Sequence, residues 1–372
     1  MSEFIDTNTI IIGAGAAGLA CAACLKRAEI PYTVLEKDAA IGKQWRARYD
    51  RLHLHTPRGH SGLPFLKMPA SYPRYPSKNE FAEYLGQYAR DLGIEPYFEQ
   101  QVSSVESETD RWRVVTYKHT FHGKNVIIAT GYARQPVMQN GFEFTGEIMH
   151  SADYKNGAKF RNKKVLVVGF GNSACEIAMC LHEHQAFPTM SVRSGVNIIP
   201  RDLAGIPILS IAIAQQWLTK ISPRLTDLVN KPVLRLKNGN LSASGLGKLP
   251  YGPIEQIVMH RKIPLIDIGT LALIKKGAIK ISPGIKSVGS KEVEFVDGTT
   301  SSFDAIIFAT GYRSALEEFL KHPYLPNENE ILLQSPHKGL YFCGFNVSPT
   351  GMLREIGREA RKITNDIARV KV

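Results

Sequence analysis

No apolar run in this 372-residue sequence approaches the roughly 20 residues needed to span a membrane as a helix. A chain held in a bilayer by a helix is therefore not expected, and no membrane partner is read from the sequence. Cysteine is scarce. The five present, Cys21, Cys24, Cys175, Cys180 and Cys343, are odd in number and widely scattered, which argues against a secreted disulfide framework. Cys21 and Cys24 have the spacing of a redox pair. They fall among Ala20, Ala22 and Ala23, however, and are expected to be small core residues of a helix. There is no low-complexity segment, no metal-ligand cluster and no nucleophilic triad. The first strand starts almost at Met1, leaving no room for a leader peptide, so a cytoplasmic protein is expected. The formal charge of +12 is not gathered into any recognition motif. No nucleic-acid partner is expected, because Lys and Arg are scattered along the chain.

What the sequence does contain is organised around Thr9 to Leu19. The apolar run Ile10-Ile11-Ile12 breaks into Gly13-Ala14-Gly15-Ala16-Ala17-Gly18, and a small-residue helix follows to Arg27. Strand, tight turn and helix are placed so that Gly13 permits the turn. Gly15 lets backbone approach a pyrophosphate, and Gly18 lets helix pack on strand. The helix N-terminus offers free N–H groups to phosphate. A second strand, Tyr32 to Leu35, ends in Glu36, where a carboxylate can accept from a ribose hydroxyl pair. The position of this fingerprint at the N-terminus, by analogy with known flavoproteins, favours FAD.

The plan then repeats. Lys164 to Val168 leads into Gly169-Phe170-Gly171-Asn172-Ser173-Ala174, with Ala174 in the tolerated place of the third glycine. The strand Met190 to Val192 ends not in an acid but in Arg193 and Ser194, which suit the 2′-phosphate of NADP. Each half closes on a buried strand with the same ending, Ala129-Thr130-Gly131-Tyr132 and Ala309-Thr310-Gly311-Tyr312. The expected fold is α/β, with two Rossmann-like domains and the NADPH domain inserted in the FAD domain, as in glutathione reductase. Residues 1–150 and 313–372 are assigned to the FAD domain and 151–312 to the NADPH domain.

Gln44, Trp45, His53, Leu54 and His55 are expected near the flavin ring or ribityl chain. Lys37, Val102, Gly344 and Met352 complete the expected cofactor contacts. Ser77-Lys78-Asn79-Glu80 reads as a capping box that opens a helix with Phe81, Tyr84, Leu85 and Tyr88 on one face. Ile206 to Ile221, rich in Ile, Ala and Leu with Trp217, reads as a substrate-pocket wall, a dimer face or a membrane-touching helix, with core or pocket packing favoured.

Phe144-Thr145-Gly146-Glu147-Ile148-Met149-His150-Ser151-Ala152-Asp153-Tyr154-Lys155, between the two fingerprints, reads FxGxxxHxxxYK. It resembles the signature of class B flavin-dependent monooxygenases, in the form with Tyr before Lys that flavin-containing monooxygenases carry. Tyr49 to His55, Gly171 to Glu176, Pro264 to Gly277 and Val293 to Gly298 resemble the plant YUCCA branch. Departures lie at Ala16-Ala17, Ala174, Thr56 to Gly59 and Gly351 to Glu355.

The resemblance implies an NADPH- and dioxygen-dependent enzyme in which the reduced flavin adds oxygen as a C4a-(hydro)peroxide. It further implies conversion of indole-3-pyruvate to indole-3-acetate. Oxygenation of an amine or sulfide, or an FAD/NADPH-dependent reductase, are the alternatives. No side chain is assigned a direct catalytic role. His53 and His55 are possible supports, and His150 is expected to order the segment that joins the domains. The partners expected are a small-molecule substrate and dioxygen, with the chain a monomer or homodimer.

Overall fold

A computed structural model describes residues 3–139, 141, 143–326, 335 and 337–369. Its contacts divide the chain into two units, one of residues 1–46, 56–135 and 313–372 and one of residues 47–55 and 136–312.

The first unit is built on a six-stranded sheet. The strand Glu3–Ile12 lies parallel to both Tyr32–Leu35 and His119–Ile128. Its Ile10, Ile11 and Ile12 are buried, as an apolar run in a two-sided parallel sheet requires. On its far side His119–Ile128 pairs antiparallel with Trp112–Thr116, which pairs antiparallel with Val102–Ser107. The late strand Leu340–Phe342 returns parallel to the end of His119–Ile128. The helix Ala16–Arg27 buries ten of its residues, from Ala16 to Leu25, and packs against the C-terminal helix Met352–Arg369. The capping box forms as the sequence predicts. Ser77 accepts from the Glu80 N–H, Glu80 accepts from the Ser77 N–H, and the helix Lys78–Asp91 buries Phe81, Tyr84, Leu85 and Tyr88.

The second unit repeats the plan with five parallel strands, in the order Lys280–Ser282, Phe187–Ser191, Lys164–Val168, Ala305–Phe308 and Glu147–His150. The helix Asn172–Glu183 covers one face with Ile177, Ala178 and Leu181. An antiparallel meander, Ile285–Val288, Glu292–Phe295 and Thr300–Ser302, places Val293 and Phe295 against Leu166, Ile306 and Phe308. Both faces of the parallel sheet are thereby kept from water.

The stretch Ile206 to Ile221, expected to pack in a core or pocket wall, is not uniformly buried. It forms a short strand, Ile206–Pro207, and two short helices, Ile208–Ala214 and Gln216–Ile221. Leu209 is buried, but Ile206, Trp217 and Ile221 are 52%, 65% and 70% exposed. Two short helices in place of one long one cannot turn every apolar side chain inward.

Candidate dinucleotide-binding sites

The two glycine turns are close structural copies. Gly13 has φ +105° and Gly169 φ +122°. A Cβ on Gly13 would sit 2.8 Å from the Ala129 carbonyl oxygen, and one on Gly169 2.7 Å from that of Ala309. Both the conformation and the crossing backbone exclude a side chain at these two positions. Gly13 N–H donates to the Leu35 carbonyl at 2.7 Å, and Gly169 N–H to that of Ser191 at 3.0 Å. Each turn is thus pinned to the next strand of its sheet.

By contrast, a Cβ on Gly15 or on Gly171 would meet nothing within 4 Å. These glycines are the N-caps of the helices Ala16–Arg27 and Asn172–Glu183, and neither helix has a side-chain cap or an acid in its first turn. Bare amide ends that open on free space suit a pyrophosphate. At the third position the two turns differ. A Cβ on Gly18 would lie 1.8 Å from the Gly13 carbonyl oxygen, whereas Ala174 is accommodated with no exposure at all.

The repeated strand endings stand beside these turns. Ala129 N–H donates to the Ile12 carbonyl and Ala309 N–H to that of Val168, both at 2.9 Å. Gly131 and Gly311 follow with φ +74° and +91°, and both face open space. Thr130 Oγ1 is buried with no hydrogen-bond partner. An unpaired buried hydroxyl next to an open glycine turn fits a polar ligand. The residues present therefore accept a dinucleotide in each unit.

Other expected contacts are placed as follows. Glu36 accepts from Ala14 N–H at 2.7 Å and from Asp38 N–H at 3.0 Å, so its carboxylate braces the first turn. Lys37 is exposed. Gln44 donates to Asp38 at 2.9 Å, and Trp45 packs edge-on against Phe81, with ring centroids 4.5 Å apart. Val102 is buried in the sheet core. Gly344, φ +84°, donates to Glu359 at 2.7 Å, and Asn346 donates to the same carboxylate at 2.6 Å. Burial pushes the Glu359 carboxyl above the usual carboxylate range, against the pull of these two donors. Met352 opens the C-terminal helix. Ala16 and Ala17 are buried in the helix that leaves the first turn.

In the second unit, Phe170 is half-buried. Asn172 accepts from the Ile266 N–H at 2.8 Å, and Ser173 is hydrogen-bonded to the Tyr49 hydroxyl. Arg193 and Ser194 are exposed just past the strand Phe187–Ser191.

The sequence assigns residues 1–150 to the first domain, whereas residues 47–55 and 136–150 group by their contacts with the second unit. Asp50 accepts from Asn156 at 2.9 Å, and its N–H donates to the Lys155 carbonyl at 2.9 Å. Arg48 lies over the Tyr312 ring at 4.5 Å, and Arg51 pairs with Glu183. His55 Nε2 lies 2.5 Å from Glu176 Oε1. His53 is exposed, with its Nδ1 2.7 Å from the Arg51 carbonyl oxygen, and Leu54 is buried. None of these partners could be foreseen from local sequence.

His150 stands at the end of Glu147–His150. Its Nδ1 accepts from Ala152 N–H and its Nε2 faces the Gly311 carbonyl, both at 3.1 Å. Those partners select the neutral ring with the proton on Nε2. Burial, reinforced by the nearby Arg48 charge, holds its pKa below the ordinary histidine value.

The five cysteines are all buried and free. Burial, with Cys21 adding to it, pushes the Cys24 thiol up to about 12. A thiol so far from ionising is a poor redox nucleophile.

Two Rossmann-like units with a bare glycine turn in each are the plan of a protein that binds two dinucleotides. Residues 10–201 match the family model described as pyridine nucleotide-disulphide oxidoreductase. Among curated proteins, the chain is 38% identical over 351 residues to the probable indole-3-pyruvate monooxygenase YUCCA1 of Arabidopsis thaliana, covering 90% of this chain and 84% of that protein. It is 35% identical over 387 residues to the indole-3-pyruvate monooxygenase YUCCA4 of Oryza sativa subsp. japonica, covering 97% and 87%. Among solved structures, a flavin-containing monooxygenase from Stenotrophomonas maltophilia superposes with a TM-score of 0.77 at 22% identity, over 99% of this chain and all of that one. The chain belongs to the YUCCA family of flavin monooxygenases. It is an enzyme of the monooxygenase class.

Proposed function

We propose that this enzyme oxidatively decarboxylates indole-3-pyruvate to indole-3-acetate, with FAD held by the first unit and NADPH by the second. The observation that carries the substrate is the similarity to YUCCA1, a relative with that activity in its name, at 38% identity over 90% of the chain. Arg354 supports an acidic substrate. It lies in the first turn of the C-terminal helix, and its Nη1 is buried without a hydrogen-bond partner. A guanidinium donor left unpaired suits a carboxylate.

The flavin and nicotinamide supply electron transfer and oxygen activation. The protein's own work is binding and placement. The Gly13–Gly18 turn and its helix end hold the flavin pyrophosphate, Thr130 and Gly131 border it, and Glu36 fixes the turn and meets the adenosine ribose. Gly169 to Ala174 do the same for NADPH, with Asn172 and Ser173 bracing the turn and Arg193 and Ser194 on the 2′-phosphate. Neutral His150 orders the Gly311 backbone.

In the overall reaction indole-3-pyruvate, dioxygen, NADPH and a proton give indole-3-acetate, carbon dioxide, NADP⁺ and water. The test is product analysis with purified flavin-loaded enzyme. NADPH and dioxygen consumed in equal amounts, with matching indole-3-acetate, is the expected result. NADPH consumption that yields only hydrogen peroxide, or oxygenation of amines and sulfides but not of the 2-oxo acid, would refute this reading.

A further inference from the structure

The helix Pro223–Asn238 is turned inside out. Its buried residues are Thr226, Asp227 and Asn238, all polar. Asn238 and Asp227 are tied inward, whereas Thr226 donates to the carbonyl of Ser222, the N-cap of its own helix, at 3.2 Å. Asn238 donates to the Ile198 carbonyl at 2.7 Å. Asp227 accepts from the Ile254 and Glu255 N–H groups, both at 2.9 Å, and so caps the neighbouring helix Pro253–His260.

The apolar residues face the other way. Leu225, Leu228, Val229, Val233 and Leu236 are 42%, 63%, 54%, 43% and 89% exposed. Their spacing places them on one stripe of a 3.6-residue helix. Trp217 and Ile221, on the short helix packed beside it, enlarge the exposed apolar surface. A patch of this kind marks a docking face.

Its charge selects the occupant. Lys231 and Arg235 fall in one row along a flank of the stripe with Arg224, which also pairs with the Glu255 carboxylate at 2.9 Å; Lys237 lies on the other flank, and Lys220 is nearby; all five are exposed. Between Leu203 and Ile254 the sequence has one acidic residue, Asp227, and that one is buried. An apolar stripe with Trp beside it, framed by cations and free of exposed acids, is the pattern of a helix that lies in a lipid interface. A second copy laid face to face would set these cation rows against each other. An anionic bilayer would neutralise them while burying the stripe.

We propose that this face, centred on Pro223–Asn238, docks peripherally on an anionic lipid surface. No described helix is long and apolar enough to cross a membrane, so the contact is with one leaflet.

The test is flotation of the full-length, flavin-loaded chain with phosphatidylcholine vesicles, with and without phosphatidylserine. Binding to the phosphatidylserine vesicles alone is expected, weakened by salt. Lys231→Glu or Arg235→Glu should reduce partitioning about fivefold or more each. Leu228→Asp with Leu236→Asp should abolish it while NADPH still reduces the flavin at the normal rate. Absence of binding, or binding unaffected by these changes, would overturn the proposal. So would a salt-resistant dimer in sedimentation that the Leu228→Asp, Leu236→Asp variant dissolves, since that would assign the face to a second copy.

Discussion

His55 Nε2 is 2.5 Å from Glu176 Oε1, and the Glu176 side chain is only 2% exposed. This bond ties the end of residues 47–55 to the helix that begins at the second glycine turn. Removing one member leaves the other buried without its partner, at a cost of about 1–3 kcal/mol. Glu176→Ala is therefore expected to lower the urea midpoint of the first unfolding transition and to weaken NADPH binding, with bound flavin retained. Glu176→Gln, which keeps a hydrogen-bonding group, should lose less. An unchanged midpoint in Glu176→Ala would show that the pair is not a tie.

The two open glycines separate cofactor binding from folding. Gly15 and Gly171 have extended backbone and free space where a side chain would go, so Gly15→Val and Gly171→Val should fold normally. Gly15→Val is expected to purify without flavin. Gly171→Val should keep flavin but fail to be reduced by NADPH. Flavin absorbance and anaerobic reduction distinguish them, and reversed or equal effects would undo the assignment of the two units.

Arg193 has no ion-pair partner among the described residues, and the second unit has no acid in the place of Glu36. Arg193→Asp should raise the KM for NADPH at least tenfold, about 1.4 kcal/mol, and leave that for NADH little changed. An equal loss for both would remove Arg193 from the 2′-phosphate.

Glycine turns, strand endings and the capping box are local, because each depends on residues within a few positions. They were legible for that reason. The small residues around Cys21 and Cys24 likewise signalled a packed helix rather than a redox pair. Glu36 shows the limit. Its position after Tyr32–Leu35 follows from the sequence, but its bonds to Ala14 and Asp38 need the folded turn. The partners of residues 47–55, such as Glu176 and Glu183, are more than 100 positions away, and no periodicity reports them. The helix Pro223–Asn238 drew no reading from the sequence, and only the inward bonds of Asp227 and Asn238 show that its apolar stripe points out.

His150 gives the fold an acid-side sensitivity. Its pKa is held below the ordinary value of about 6.5, because burial disfavours the charged ring. Protonation would also destroy the Nδ1 acceptor that Ala152 uses. The unfolded chain binds this proton more readily, so the stabilisation is fully present above the unfolded value and is lost as pH falls below it. Between about pH 7.5 and about pH 5.5, wild type should lose more stability than His150→Gln. Parallel curves would show that His150 does not titrate this way.

The most direct test of the account is rapid mixing. Enzyme reduced anaerobically with NADPH is mixed with oxygenated buffer, and the flavin spectrum is followed with and without indole-3-pyruvate. A transient absorbance distinct from both reduced and oxidised flavin is expected, one that decays faster when indole-3-pyruvate is present and leaves indole-3-acetate. Direct return to oxidised flavin, at a rate that indole-3-pyruvate does not alter, would contradict it.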